Sequence, residues 1–186
     1  MGLRTSAIAG VCCALLSVVL YVGEIPQTAS ALPISNLFLF VATLAFLLCY
    51  ATYVHGFVII GKRHANALLV LVSYMLIAVV LVDLASTFAF IVFSASDTIA
   101  ATILELVIVF RSSTEMLVGM SLWSTRQAFG RVEAWTAATG TLLGCAGFFL
   151  GNPVGLLRIP FLLFGGWLFV QASSATSRES EKVAIS

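Results

Sequence analysis

Charged residues are scarce in this chain: Asp, Glu, Lys and Arg make up 9% of its 186 residues, against 61% hydrophobic residues. Soluble domains carry roughly 25% charged residues, and the mean hydropathy here is +1.11. This composition excludes a water-soluble domain, because interior and exterior must both be apolar, which makes lipid the solvent. Basic charge is short as well. A net charge of +1 leaves no surface able to neutralise several phosphates, so nucleic acid is not expected as a partner. Histidine occurs only at His55 and His64, too few for a multihaem cytochrome. The four cysteines, Cys12, Cys13, Cys49 and Cys145, contain no C-x-x-C pair and all lie inside hydrophobic runs. They read as small buried apolar residues, and neither a metal nor a cofactor is expected. Signatures of a named reaction are missing too: there is no G-x-S-x-G, no H-E-x-x-H and no G-x-x-x-x-G-K-[ST]. No loop is long enough to fold a catalytic domain.

What the chain does have is hydrophobic runs, six of them, with basic residues on every second connection. Arg4 precedes the first run, Lys62 and Arg63 follow the second, Arg126 and Arg131 the fourth, and Arg178 and Lys182 the sixth. The connections between carry only Glu24 and Asp97 as charges. Cytoplasmic loops retain Lys and Arg, and the bias orients each span. The pattern predicts an all-α integral membrane protein: a six-helix transmembrane bundle with short loops and both termini in the cytoplasm. A single transmembrane domain over 1–171 is expected, with spans near 3–23, 34–60, 66–93, 98–123, 134–151 and 154–171. Each span needs roughly 20 apolar residues. Residues 172–186, rich in Ser, read as a disordered cytoplasmic tail. Tyr21, Trp123, Trp135 and Trp167 fall near span ends, where amphipathic rings prefer the headgroup layer. The expected location is a multi-pass membrane setting, the bacterial inner membrane.

The N-terminus has a competing reading. Arg4, the apolar run 7–22, Pro26 and then Ala29-Ser30-Ala31 imitate a cleaved signal peptide, which would leave five spans. Met1-Gly2 with Ser6 also fits a myristoylation pattern, made redundant by the span that follows.

Small residues mark packing faces. In span five Ala137, Gly140, Gly144, Gly147 and Gly151 are separated by 3, 4, 3 and 4 residues and share one narrow stripe. Gly140/Gly144 and Gly147/Gly151 are both G-x-x-x-G pairs, which let two backbones approach closely in lipid. Span one has a milder version in Ala7, Gly10, Ala14 and Ser17. The stripe serves either a dimer interface or packing within the bundle, and the second is favoured because six helices have many internal contacts to satisfy.

Ionisable residues inside the spans are the candidate site. Glu105, Arg111 and Glu115 interrupt span four, with Ser112 beside them, and Asp83 sits in the middle of span three with Ser86 and Thr87 on the same face. Arg111 and Glu115 are four apart and can pair along the helix. The antiparallel order of spans three and four would bracket Asp83 between Glu105 and Arg111. Each charge at a helix centre costs on the order of 2.5–3.5 kcal/mol on insertion scales, so these groups should face one another or a wet cavity. The set holds three carboxyls and one guanidinium, and a further cation is wanted. Arg158, near the external end of span six, either snorkels outward or supplies that cation to Glu24 or Glu105. His55, with Tyr50, Tyr53 and Thr52, sits toward the cytoplasmic end of span two and reads as a hydrogen-bonded wall.

Three functions compete. The first is a protein that binds or translocates a small solute, ion or proton through the polar site between spans three and four. The second is a non-catalytic structural or regulatory subunit, as a homo-oligomer or within a larger membrane complex. The third is a lipid- or isoprenoid-modifying enzyme using Asp83 and Glu105 as acid and base. Membrane lipid is the expected surrounding partner in each.

Overall fold

A computed structural model describes the backbone of residues 2–24, 36–93, 97–124, 130–150 and 158–185; side chains at 22–24, 36, 37, 39, 87–93, 97–101, 104, 105, 148–150 and 176–185 lie outside the description. The described residues form α1 (Leu3–Glu24), α2 (Asn36–Arg63), α3 (Ala67–Phe93), α4 (Asp97–Trp123), α5 (Arg131–Leu150) and α6 (Arg158–Ile185), with no strand among them. Long runs of apolar residues without interior proline are free to satisfy every backbone group within the helix, which lipid demands. Four stretches are long and apolar enough to cross a membrane: Leu3–Tyr21, Phe40–Arg63, Ala67–Ser86 and Leu106–Trp123. The chain is therefore an all-helical membrane protein. The longest polar loop of the sequence reading, around 124–133, and the turns at 94–96 and 151–153 fall largely outside the described residues.

One boundary differs from the composition-based reading. Helix α6 continues through the expected tail to Ile185. The segment contains no Gly or Pro after Trp167, and Ala172, Ala175, Arg178, Glu179, Glu181, Lys182 and Ala184 are good to fair helix formers. Once α6 is nucleated by its apolar part, adding these residues costs little, since propagation is far easier than initiation.

Each helix packs on the next in chain order, and α6 returns to α1, so the bundle closes into a ring with a further contact across it between α2 and α6. Three hydrogen bonds register α1, α2 and α6. The Ser6 hydroxyl donates to the Thr52 carbonyl at 2.9 Å, the Tyr53 hydroxyl to the Phe161 carbonyl at 2.6 Å, and Arg63 Nη1 to the Ala172 carbonyl at 3.2 Å. Around Tyr53 lies an aromatic cluster of Phe57, Phe161 and Phe169, all fully buried, with ring centroids 4.9–5.7 Å apart. Rings of this size fit between helices only because the backbone opposite lacks side chains. A Cβ on Gly165 would collide with the Tyr53 hydroxyl, and one on Gly56 would meet Phe169 at 2.5 Å.

The glycine stripe of α5 is spent on α4. A Cβ at Gly144 would lie 2.5 Å from the Met116 amide nitrogen and the Ser112 carbonyl, and one at Gly147 would collide with the Ser112 hydroxyl. Gly140 faces Gly119 and Phe161. The stripe thus serves contact within the chain rather than a second copy; Gly151 lies outside the described residues. The small residues of α1 do the same: Ala7, Ala14 and Ser17 are buried, and Gly10 lies against Tyr53 and the Leu162 carbonyl.

The turn from α2 to α3 is a compact double cap. Ala65 takes a left-handed conformation (φ 53°), and the Asn66 amide bonds back to the Gly61 carbonyl at 2.8 Å, closing the last turn of α2. The Asn66 side chain then caps α3 by accepting from the Leu69 amide at 2.9 Å. Its Nδ2 donates to the Ser121 carbonyl at 3.1 Å and the Ser124 hydroxyl at 2.9 Å, tying the end of α4 to the same turn.

Two outcomes follow from this packing. Gly144→Ala should destabilise the protein by about 1–3 kcal/mol through overpacking against α4, while Leu142→Ala, at a side chain 68% exposed, should be nearly neutral; unfolding in mixed micelles reads both. Ala65→Gly should stabilise by about 1 kcal/mol, because a left-handed alanine carries a steric cost that glycine lacks. A neutral or destabilising Ala65→Gly would mean that the turn is not formed as described.

Candidate functional site

Ionisable side chains from three helices and one tyrosine from a fourth meet inside the ring. Arg111 on α4 reaches across to Asp83 on α3, its Nη1 2.8 Å from Oδ2, with both side chains nearly buried (14% and 11% exposed). One turn further along α4, Glu115 is wholly buried. Its Oε1 accepts two bonds, from the Tyr50 hydroxyl of α2 at 2.6 Å and from Arg158 Nε of α6 at 3.2 Å. The Arg158 guanidinium also lies over the rings of Tyr50 and Phe46, 5.7 and 6.0 Å from their centroids. A cation over an aromatic face in a desolvated site gains up to about 2 kcal/mol, so Tyr50 holds Arg158 through its ring while its hydroxyl holds Glu115.

These contacts redistribute the pairings expected from spacing. Arg111 and Glu115 do not pair with each other among the described bonds. Each takes a partner on another helix, which both neutralises charge and fixes the relative register of two helices, where a pair along one helix fixes nothing. Arg158 does not snorkel outward; it is 7% exposed and pairs with Glu115, while the side chains of Glu24 and Glu105 lie outside the described residues. With it, the described set holds two carboxylates and two guanidiniums and balances to zero. Tyr50 lies at this centre rather than near the end of α2.

The remaining sequence candidates scatter. Ser112 is buried but faces Gly147 of α5, away from the ion pairs. Ser86 is half-buried on α3. The side chains of Glu105 and Thr87 lie outside the described residues. Sequence reasoning grouped Tyr50 with His55 rather than with the charges; the shortage of one cation in a set of three carboxyls and one arginine pointed to Arg158, but not to Glu115 as its partner. Among the described residues no group of three or more His, Cys, Asp or Glu is placed to hold a metal ion.

Two atoms of this centre have no hydrogen-bond partner among the described residues. Glu115 Oε2 and Arg111 Nε are both buried and make no hydrogen bond, although the other end of each side chain is engaged. Buried polar atoms are normally satisfied, and an exception is met by an ordered water or ion, by local strain or by a functional role. The arrangement offers one acceptor and one donor, on residues four apart in α4, beside two fixed ion pairs. Comparison with protein-family models, curated proteins and solved structures finds no match to the chain.

Replacing Arg111 with Gln should cost about 3–5 kcal/mol by leaving Asp83 without its guanidinium. Combining it with Asp83→Asn should restore part of that loss, giving a coupling energy of about 0.5–3 kcal/mol in a double-mutant cycle. Tyr50→Phe should cost about 1–3 kcal/mol. Additive single changes at Asp83 and Arg111 would show that the two side chains do not interact in the folded protein.

Proposed function

We propose that this chain is a six-span membrane protein, both termini cytoplasmic, that binds or translocates a small solute, ion or proton at the charged centre formed by Asp83, Arg111, Glu115 and Arg158. The observation that carries the proposal is Glu115 Oε2, a wholly buried carboxylate oxygen with no hydrogen-bond partner among the described residues, beside an Oε1 that has two. A proton is the species that fits best. It can bind Oε2 while Tyr50 and Arg158 keep their positions at Oε1. The described set then passes from neutral to one excess positive charge. In a medium of low dielectric such an imbalance is costly, so protonation is coupled to displacement of Arg158 or to arrival of an anionic solute near Arg111 Nε.

The topology rests on the alternation of basic connections, with each of the four apolar helices already long enough to span. The interlocking of α1 with α2 and α6 supports its retention as a span rather than its removal as a signal peptide. A bacterial inner membrane is the setting we propose, and short loops fit a protein that works within the bilayer. The subunit reading loses its main docking face, since Gly140, Gly144 and Gly147 are occupied by α4 and α6.

Purified protein reconstituted into vesicles with an internal pH dye tests the function. Under an imposed potential, proton entry should exceed that of protein-free vesicles, and Glu115→Gln should lower it at least tenfold. Wild-type flux equal to that of empty vesicles, or unchanged flux in Glu115→Gln, would remove the proton reading. Reporter fusions after Arg63, Gly130 and Ser186 should read cytoplasmic, and those near Gln27, Ser96 and Asn152 external.

A further inference from the structure

The α2–α3 turn carries a second feature, unconnected with the charged centre. An open groove of about 350 Å³ runs beside it, walled by Gly61, Ala65, Ala67, Val70, Leu71 and Tyr74, with Lys62 at its rim. Its wall is almost wholly apolar, which is what an alkyl chain needs and what a polar solute does not. The volume falls within the range, roughly 300–1,000 Å³, of clefts that hold small molecules. Three physical features open it. Gly61 has no side chain, so α3 approaches α2 closely, with Val70 Cγ2 2.8 Å from where a Cβ would stand. The left-handed Ala65 bends the chain sharply. Ala67 leaves the start of α3 thin.

The depth of the groove identifies its occupant. The apolar stretches of α2 and α3 end at Arg63 and resume at Ala67, so the turn sits where hydrocarbon gives way to headgroups. Leu71 and Tyr74 are exposed on the outer wall, 59% and 45%, and continue the groove toward the hydrocarbon. At its polar end the exposed Lys62 ammonium lies 5.8 Å from the centroid of the Tyr74 ring, which fixes a positive charge at headgroup level. Arg63 and His64 follow it in the chain. A basic rim above an apolar slot complements a molecule that joins a phosphate to an alkyl chain, and a cation at the membrane surface attracts anionic lipid with about 1 kcal/mol per Lys or Arg.

We infer that the groove at the α2–α3 turn is a specific site for one anionic phospholipid, with an acyl chain along Val70, Leu71 and Tyr74 and its phosphate at Lys62. Lipid held there would stiffen the turn that Asn66 also ties to the end of α4, so occupancy reaches the helix that bears Arg111 and Glu115.

Native mass spectrometry of the full chain, released from micelles holding equal amounts of dioleoyl-phosphatidylglycerol and dioleoyl-phosphatidylcholine, tests the site. The wild type should retain one phosphatidylglycerol about tenfold in preference to phosphatidylcholine. Lys62→Gln should abolish the preference, Ala67→Trp should lower retention of both lipids, and Arg131→Gln, at an exposed cation elsewhere, should leave the preference intact. An absent preference in the wild type, its survival in Lys62→Gln, or an equal loss in Arg131→Gln would overturn the inference; so would a second copy of the chain retained in place of lipid. Lys62 takes no part in the charged centre, so this result stands or falls separately from proton flux.

Discussion

Glu115 accepts Tyr50 and Arg158 on a single oxygen, and the helices that supply those three side chains are not all neighbours in the ring. A carboxylate with no access to water has to be compensated where it stands, and in hydrocarbon the compensation can come only from other side chains. Bringing a phenol from α2 and a guanidinium from α6 to the same atom of α4 therefore sets the rotation and the depth of three helices together. The Asp83–Arg111 pair does the same for α3. Lipid gives helices little reason to associate through apolar area alone, because lipid tails are as apolar as leucine. Polar pairing supplies the register that burial in a soluble core would supply by exclusion of water.

Close packing then depends on what the helices leave out. Large rings crowd the interface of α1, α2 and α6, and they are accommodated at Gly10, Gly56 and Gly165. The α4–α5 seam uses the opposite means, small residue against small residue, with Gly119 opposite Gly140 and Gly144 against the Met116 backbone. The first seam gains dispersion from ring area and the second from backbone proximity. Between them the charged centre is walled on both sides, and this enclosure makes an unpartnered oxygen on Glu115 consequential. The same oxygen at the surface would simply be wet.

At the far end of the bundle from Arg158, Asn66 serves three elements at once by ending α2, starting α3 and holding the last turn of α4. A short polar turn that closes on itself leaves an apolar notch beside it, bounded by a lysine. The groove is thus a by-product of the cap geometry, in the way that strained or tightly turned segments tend to become binding surfaces.

Composition and hydropathy by themselves determined that the chain is helical and lives in a membrane, and they placed α1 to α5 to within a few residues, because lipid permits a segment of this length and apolarity little else, whereas α6 runs on to Ile185 through the expected tail. The glycine spacing of α5 likewise declared a packing face, since a 3-4-3-4 repeat keeps one stripe on one side of a helix. Sequence also singled out Asp83, Arg111 and Glu115, which stand out as charges in apolar runs. Which charges meet was decided by tertiary structure. Spacing along α4 suggested Arg111 with Glu115, but a helical neighbour four residues away competes with partners on other helices, and the ring brought Asp83 and Arg158 nearer in effect. The role of Tyr50 was hidden for the same reason: a tyrosine in an apolar run becomes a hydrogen-bond donor to a buried carboxylate only when α2 and α4 face each other across a closed ring, and periodicity within one helix carries no information about that closure.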